Sequence, residues 1–277
     1  MSLGSHPLHK FLRTELLPTA FCPGCGNGIV AGALLRAIEE LGYSDLRKFV
    51  FVSGIGCAAW IPSPYFKADT VHTLHGRAIP VAEGIKLIRP DLEVIVIGGD
   101  GDIAGIGGNH LIHAARRNMD LLVIMVNNFI YAMTGGQLAP TTPLGFKTTT
   151  TPYGNPEPPL DACQLVASLG ANYVARWTIM HFDQLKESIK KALKLGKGFR
   201  FIEVVSQCTS RVSARMGMRP SEFMKWLIKN SIPVSKASEL SLEEKWGKII
   251  VGEYVYSKRP GFIEVMKKTL LRFRKGA

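Results

Sequence analysis

The sequence predicts an α/β protein built on a doubly wound, mainly parallel sheet with a C-terminal extension. Three observations lead there: short apolar runs rich in β-branched residues recur, each ends in small or polar residues, and helix-like segments separate them. A strand apolar at every residue, rather than at every second one, is covered on both faces, as inside a parallel sheet flanked by helices. Strands of this kind alternating with helical segments define the doubly wound class.

The elements follow in order. Residues 28–41 read as a helix, and residues 49–53 as a strand running into Gly54-Ile55-Gly56. Residues 78–88 are helical, and residues 94–97 form a strand leading into Gly98-Gly99-Asp100-Gly101. Residues 109–118 are helical, and the strand over 121–126 ends at Asn127-Asn128. Residues 140–160 are rich in Thr, Pro and Gly without periodicity; so long a loop is either functional or disordered. Residues 161–168 and 182–195 are helical, and the strand over 201–205 leads to Ser206-Gln207-Cys208. The domain ends near residue 210. Beyond it, residues 221–229 read as a helix, 232–239 as a linker, and a last helix starts at Phe262. This extension, 211–277, is expected to pack on the domain or on a partner.

With 277 residues, 46% of them hydrophobic, the chain can bury a large core. No apolar run is long enough to cross a bilayer, and residues 1–10 lack the apolar stretch of a signal peptide, so a cytoplasmic protein without a membrane is expected. A net charge of +12 favours acidic partners. Neither a zinc-finger spacing nor an aromatic-studded RNA-binding strand occurs, so nucleic acid is not expected. The basic run Lys267, Lys268, Arg272, Arg274 and Lys275 reads as a solvated helix end.

In sheets of this class ligands bind beyond the carboxyl ends of the strands. Glycines 98, 99 and 101 permit a tight turn and close backbone approach to a diphosphate. Asp100 offers a carboxylate oxygen for Mg²⁺, Asn128 an amide oxygen, and the Ile130 carbonyl a third ligand. A lone Gly-Asp-Gly is common in turns. The whole run is more specific: Gly98 to Asp102, Ile106-Gly107-Gly108-Asn109-His110, Arg116-Arg117-Asn118 and Asn127-Asn128. It resembles the diphosphate-binding motif of thiamine-dependent enzymes.

Cys22 and Cys25 share one tight loop, while Cys57 and Cys208 each follow a strand. Four thiolates suit zinc or an iron–sulfur cluster, and a Cys-x-x-Cys redox pair is a further reading; spacing does not decide between them. Cys163 lies in a helix-like stretch and reads as a small buried hydrophobe. His110 and His113, three apart on a helix with Arg116 and Arg117, are assigned to packing or hydrogen bonding.

Together the motifs resemble the β subunit of 2-oxoacid:ferredoxin oxidoreductases over roughly residues 20–208. The matching runs are Phe21 to Gly26, Ser53 to Cys57, His75 to Ala78, the long Gly-Asp-Gly to Asn-Asn run, Tyr131 to Gln137, and Pro152 to Asn155. The resemblance implies the diphosphate-binding domain of a thiamine enzyme, with thiamine diphosphate, Mg²⁺ on Asp100, Asn128 and the Ile130 carbonyl, and one 4Fe–4S cluster on Cys22, Cys25, Cys57 and Cys208. Gly99, Gly101 and Asp102 would wrap the diphosphate, and Ile55, Gly56, His75 and Gly76 would lie beside the cofactor. A redox-inert zinc ion could not take electrons from that cofactor, so the resemblance favours the cluster. The implied reaction is oxidative decarboxylation of a 2-oxoacid by coenzyme A, with electrons leaving through the cluster to ferredoxin.

No acidic residue falls where it would activate the aminopyrimidine ring of the cofactor. The resemblance places that Glu on a partner α subunit, without which this chain is inactive. Where many relatives carry a polar or basic residue, this chain has Trp60; if that side chain lines the substrate pocket, the reading tilts from 2-oxoglutarate towards pyruvate or broader 2-oxoacids. Gln207 and Thr209-Ser210-Arg211 also depart from the family pattern around Cys208. Two other classes stay open: a non-redox thiamine-dependent decarboxylase or ligase component with a structural Cys₄ metal site, and a non-catalytic zinc scaffold.

Overall fold

The computed structural model describes residues 6–276, with side chains described to residue 273. Met1 to Ser5, part of the stretch read above for a leader, lie outside it, as do the side chains of Arg274 and Lys275. The chain runs α1 (Asn27–Glu40), β1 (Phe49–Ser53), β2 (Asp69–His72), α2 (Ala78–Ile88), β3 (Glu93–Gly99), α3 (Gly108–Arg116), β4 (Leu122–Asn127), and a small hairpin of β5 (Ile130–Tyr131) and β6 (Gln137–Leu138). It continues α4 (Ala162–Ser168), β7 (Tyr173–Thr178), α5 (Phe182–Leu195), β8 (Arg200–Val205), α6 (Pro220–Lys229), β9 (Ser231–Pro233), α7 (Leu242–Trp246), β10 (Ile249–Tyr256) and α8 (Phe262–Gly276).

Eight strands form one sheet in the order β2-β1-β3-β4-β8-β7-β10-β9. The first six are mutually parallel; β10 runs against β7, with β9 parallel beside it. Every residue of β1, β4 and β8 is buried. Alternate side chains feed two cores. Phe49, Phe51, Ile95, Ile97, Ile124 and Ile202 pack with α1, α5 and α6, while Val50, Val52, Val94, Val96, Val123 and Phe201 pack with α2, α3 and α4. Helix α5 shows how the pattern docks: Leu185, Ser188, Ile189 and Ala192 are buried at the spacing of one helical face. The chain steps outward from β1 to β2 and returns to β3 on the other side of β1, which makes the β1/β3 junction the switch point of the sheet.

Several departures from the sequence reading have physical causes. Strand β2 is missed because it is an exposed edge without an apolar run. Strand β7 is missed because Arg176 interrupts it; the guanidinium is buried and paired with Glu203 at 2.8 Å and Asp161 at 2.6 Å. Residues 232–239 are not a free linker: Ser231–Pro233 pairs with β10, and Val234–Glu239 is a 3₁₀ helix. The segment after 210 thus extends the sheet at its β7 edge. The base of α8 is tied to the domain by Asp120, which accepts from the backbone N–H of Ile263 and of Gly198, each at 2.9 Å. The loop over 140–160 is knitted by its own polar side chains, with Asn155 donating to the carbonyls of Thr142 and Glu157. Among the described residues no helix is long and apolar enough to cross a membrane.

Candidate active site

The carboxyl ends of β1, β2, β3 and β4 open into one cleft at the switch point. Ile55 and Gly56 line it from β1 and His75 from β2, with Gly99, Asp100, Gly101 and Asp102 from β3 and Asn128 and Ile130 from β4. Nine of the ten residues expected around the diphosphate and Mg²⁺ are therefore brought together. The tenth, Gly76, lies behind them. Its N–H donates to Asp102 Oδ1 at 2.7 Å, and its φ of +72° with Ile106 and Gly107 packed against it leaves no room for a side chain.

Asp102 joins three loops. Its Oδ1 accepts from Gly76 N–H, from His75 Nδ1 at 2.7 Å and from Ile55 N–H at 3.3 Å, while Oδ2 is buried with no partner among the described residues. The carboxylate therefore pins the β1 and β2 loops to the start of the helical turn Gly101–Ile106. Bound through Nδ1, His75 keeps its Nε2 without a partner among the described residues. Its ring meets Tyr131 edge-on with centroids 5.9 Å apart.

Asp100 is buried, and burial pushes its carboxyl up to about 7, against hydrogen bonds from Thr141 and the backbone that pull the other way. Thr141 Oγ1 lies 2.5 Å from Asp100 Oδ2 and 3.0 Å from Asn127 Oδ1. The two asparagines divide their work. Asn128 lines the cleft, whereas Asn127 is buried and donates to Glu203 Oε1 at 2.7 Å. Between Asn128 and Ile130, Phe129 has a φ of +69°, a sparsely populated conformation for a bulky residue, held by hydrogen bonds on both sides. Tyr131 closes the Gly-Asp-Gly turn: its hydroxyl donates to the Gly101 carbonyl at 3.1 Å, and its ring fills the space a Cβ at Gly101 would need.

Beside the cleft lies a cavity of about 210 Å³ whose wall carries Cys22, Cys25, Cys57 and Cys208. Burial, opposed by a backbone hydrogen bond and reinforced by the other three cysteines, pushes the Cys25 thiol up to about 11; Cys57 is raised for the same leading reason. The Cys-Pro-Gly-Cys loop is clamped to the far strand end. Gln207 Nε2 donates to the Gly24 carbonyl, Thr209 Oγ1 to the Pro23 carbonyl at 3.1 Å, and Gly26 N–H to the Gln207 carbonyl. The cavity and the cleft share Cys57, Asn128, Ala132 and Met133 as a common wall. Trp60 lines the cysteine cavity, not the cleft.

Thr141 and Tyr131 contact the expected site residues, and Ser210 lines the cysteine cavity; the motifs alone assigned none of them a place in the site. Tyr131 sat in a matching run, but Thr141 lies in the loop without periodicity, and no local signal marks it. Cys163 is a buried core residue of α4, with its Sγ 3.4 Å from Glu203 Oε2. His110 stands against Arg77 and Arg117 pairs with Glu83, both outside the cleft and the cysteine cavity.

The fold and cleft define a thiamine diphosphate-binding domain, and residues 54–204 match the family "Thiamine pyrophosphate enzyme, C-terminal TPP binding domain". The chain is 50% identical over 270 residues to the 2-oxoglutarate synthase subunit KorB of Methanocaldococcus jannaschii, covering 97% of this chain and 99% of that protein. It is 49% identical over 189 residues to the β subunit of a Saccharolobus solfataricus 2-oxoacid:ferredoxin oxidoreductase, covering 68% of this chain and 61% of that one. A solved 2-oxoglutarate:ferredoxin oxidoreductase from Magnetococcus marinus, with 2-oxoglutarate, coenzyme A and succinyl-CoA bound, superposes with a TM-score of 0.85 at 32% identity, covering 98% of this chain and 92% of that chain. The chain belongs to the β subunits of the 2-oxoacid:ferredoxin oxidoreductases.

Proposed function

We propose that this chain is the cofactor-binding half of an enzyme that oxidatively decarboxylates 2-oxoglutarate with coenzyme A, yielding succinyl-CoA and CO₂ and passing two electrons through a 4Fe–4S cluster to ferredoxin. The observation that carries this is the common wall between the cofactor cleft and the four-cysteine cavity. When bound, thiamine diphosphate supplies the electron sink for decarboxylation, Mg²⁺ neutralises its diphosphate, and the cluster accepts electrons one at a time.

This chain's residues would hold those groups. Asp100 and Asn128, with the Ile130 carbonyl, would ligate Mg²⁺; a buried carboxyl raised by desolvation is stabilised as the anion by a cation. Gly99 and Gly101 would allow backbone approach to the diphosphate, and Asp102 would keep the loops bearing Ile55, Gly56, His75 and Gly76 in register. Cys22, Cys25, Cys57 and Cys208 would hold the cluster. The four thiols line one cavity beside the cofactor cleft, and a redox-active cluster there could take electrons from the cofactor as a zinc ion could not.

Among the described residues the carboxylates lining the cleft are Asp100 and Asp102, one assigned to the metal and the other engaged by His75, Gly76 and Ile55. The group that activates the cofactor's aminopyrimidine therefore belongs to an α subunit. The names of relatives matched over nearly their whole length favour 2-oxoglutarate over the pyruvate or broader 2-oxoacids towards which Trp60 tilted the reading, and Trp60 lies outside the cleft. A cytoplasmic location, where thiolates stay reduced and available as cluster ligands, fits this reading. The positive net charge suits docking of an acidic ferredoxin.

The test is anaerobic reconstitution with the α subunit, followed by a panel of 2-oxoacids with coenzyme A and a viologen or ferredoxin acceptor. Brown protein that reduces the acceptor with 2-oxoglutarate supports the proposal. Colourless protein carrying stoichiometric zinc, or turnover without acceptor reduction, overturns it in favour of a non-redox thiamine enzyme.

A further inference from the structure

The cysteine cavity contains a hydroxyl with no place in the scheme above. Ser210 Oγ lies 3.8 Å from Cys22 Sγ and 3.7 Å from Cys208 Sγ, within hydrogen-bonding range for sulfur. Its two contacts reach separate segments of the chain: Cys22 belongs to the loop before α1, and Cys208 follows β8. Ser210 is carried there by the helical turn Thr209–Ser213, whose first residue clamps the Pro23 carbonyl. In the protein without iron either thiol can donate to this oxygen. When both sulfurs are thiolates, they have no proton to give, and the hydroxyl becomes the donor.

Resting on the reading of the four cysteines as cluster ligands, we infer that Ser210 sets the reduction potential of the cluster by donating a hydrogen bond to a ligand sulfur. A hydrogen bond to a cluster thiolate stabilises the added negative charge of the reduced state, so it raises the potential. One proton shared between two sulfurs serves one of them at a time. The hydroxyl thus acts on the pair joining the Cys-Pro-Gly-Cys loop to the strand end, and it eases electron entry from the neighbouring cleft. Ser210 is a positioning and tuning residue, not a ligand.

The experiment uses the complete αβ enzyme, isolated anaerobically, with Ser210→Ala and Ser210→Thr variants. The reduced cluster is followed by electron paramagnetic resonance through a redox titration. At the potential where the unaltered enzyme is half reduced, Ser210→Ala should show a reduced-to-oxidised ratio about threefold lower, a shift of about 28 mV at about 59 mV per tenfold for one electron. Ser210→Thr, which keeps the hydroxyl, should titrate with the unaltered enzyme. The Fe–S stretching bands should move further in D₂O for Ser and Thr than for Ala, which retains the backbone N–H bond to Cys25. An unchanged potential in Ser210→Ala, equal shifts in both variants, or loss of the cluster from Ser210→Ala each overturns the inference. Absence of any cluster from the unaltered enzyme instead overturns the reading on which it rests.

Discussion

The Thr141 hydroxyl stands 2.5 Å from Oδ2 of Asp100, bridging a loop without regular structure to the turn that carries the assigned metal ligand. The same oxygen is 3.0 Å from Asn127 Oδ1, so one hydroxyl proton serves two acceptors. Beyond Asn127 the chain of contacts continues to Glu203 and on to Arg176. The orientation of the Asp100 carboxyl is therefore set in part by groups outside the cleft.

Replacing Thr141 by Val keeps the shape and removes the hydroxyl. Groups that orient a metal ligand are worth about 10–100-fold in metal affinity. The Mg²⁺ requirement for thiamine diphosphate binding should rise by that factor in Thr141→Val and recover in Thr141→Ser. Calorimetric titration reads it directly, and equal Mg²⁺ affinities in the two variants would refute the role.

Asp100→Ala removes the assigned ligand itself. Purified in Mg²⁺ and desalted, the variant should retain no thiamine diphosphate while its circular dichroism stays native. Full cofactor content would remove Asp100 from the metal site.

Asp102→Ala leaves the Ile55 and Gly76 N–H groups and His75 Nδ1 without their acceptor. Of these bonds only that of the Gly76 N–H is fully buried; stranding a buried donor costs about 1–3 kcal/mol, so denaturant unfolding should show a loss within that range. Asp102→Asn, which keeps an acceptor oxygen, should lose less. Equal stability of both variants to the parent would show that the three loops hold together without this carboxylate.

The pair Arg176 and Asp161 predicts an acid limb. Burial raises the Asp161 carboxyl, but the charge and hydrogen bonds of Arg176, 2.6 Å away, outweigh it and hold the group below its ordinary range. A carboxyl lower in the folded than in the unfolded state adds stability that is complete above about pH 4 and is lost as the pH falls through the folded value. Urea midpoints between neutral and strongly acidic pH should therefore fall less steeply in Asp161→Asn. Parallel profiles would contradict the linkage. Arg176→Met, which strands Glu203 without its partner, should cost about 3–5 kcal/mol at neutral pH.

Much of this was legible before the fold. Strand β1 and helices α2 and α5 fall at the residues their apolar patterns indicated, because burial on one or two faces leaves a local period. Strand β7 was not legible: Arg176 breaks its apolar run, and the carboxylates that neutralise it lie 15 residues before and 27 after it in the chain. Strand β10 was lost in a tail that looked irregular, since its pairing with β7 spans a long stretch of sequence. The bond from the Gly76 N–H to Asp102 was not legible either, since it joins residues 26 apart in the chain.

The sequence by itself determined the chemistry available: a Gly-Asp-Gly turn, an Asn pair, four spaced cysteines, and a sheet to carry them. Tight turns and two-face burial are local demands, met by neighbours in the chain. Tertiary structure decided how that chemistry is arranged. It turned Asn128 to the cleft and Asn127 to Glu203, gave Asp102 to the loops bearing Ile55 and His75, and set Thr141 against Asp100. It also gave the cleft and the cysteine cavity one wall. Each of those relations joins residues brought together by strand order, which no local pattern records.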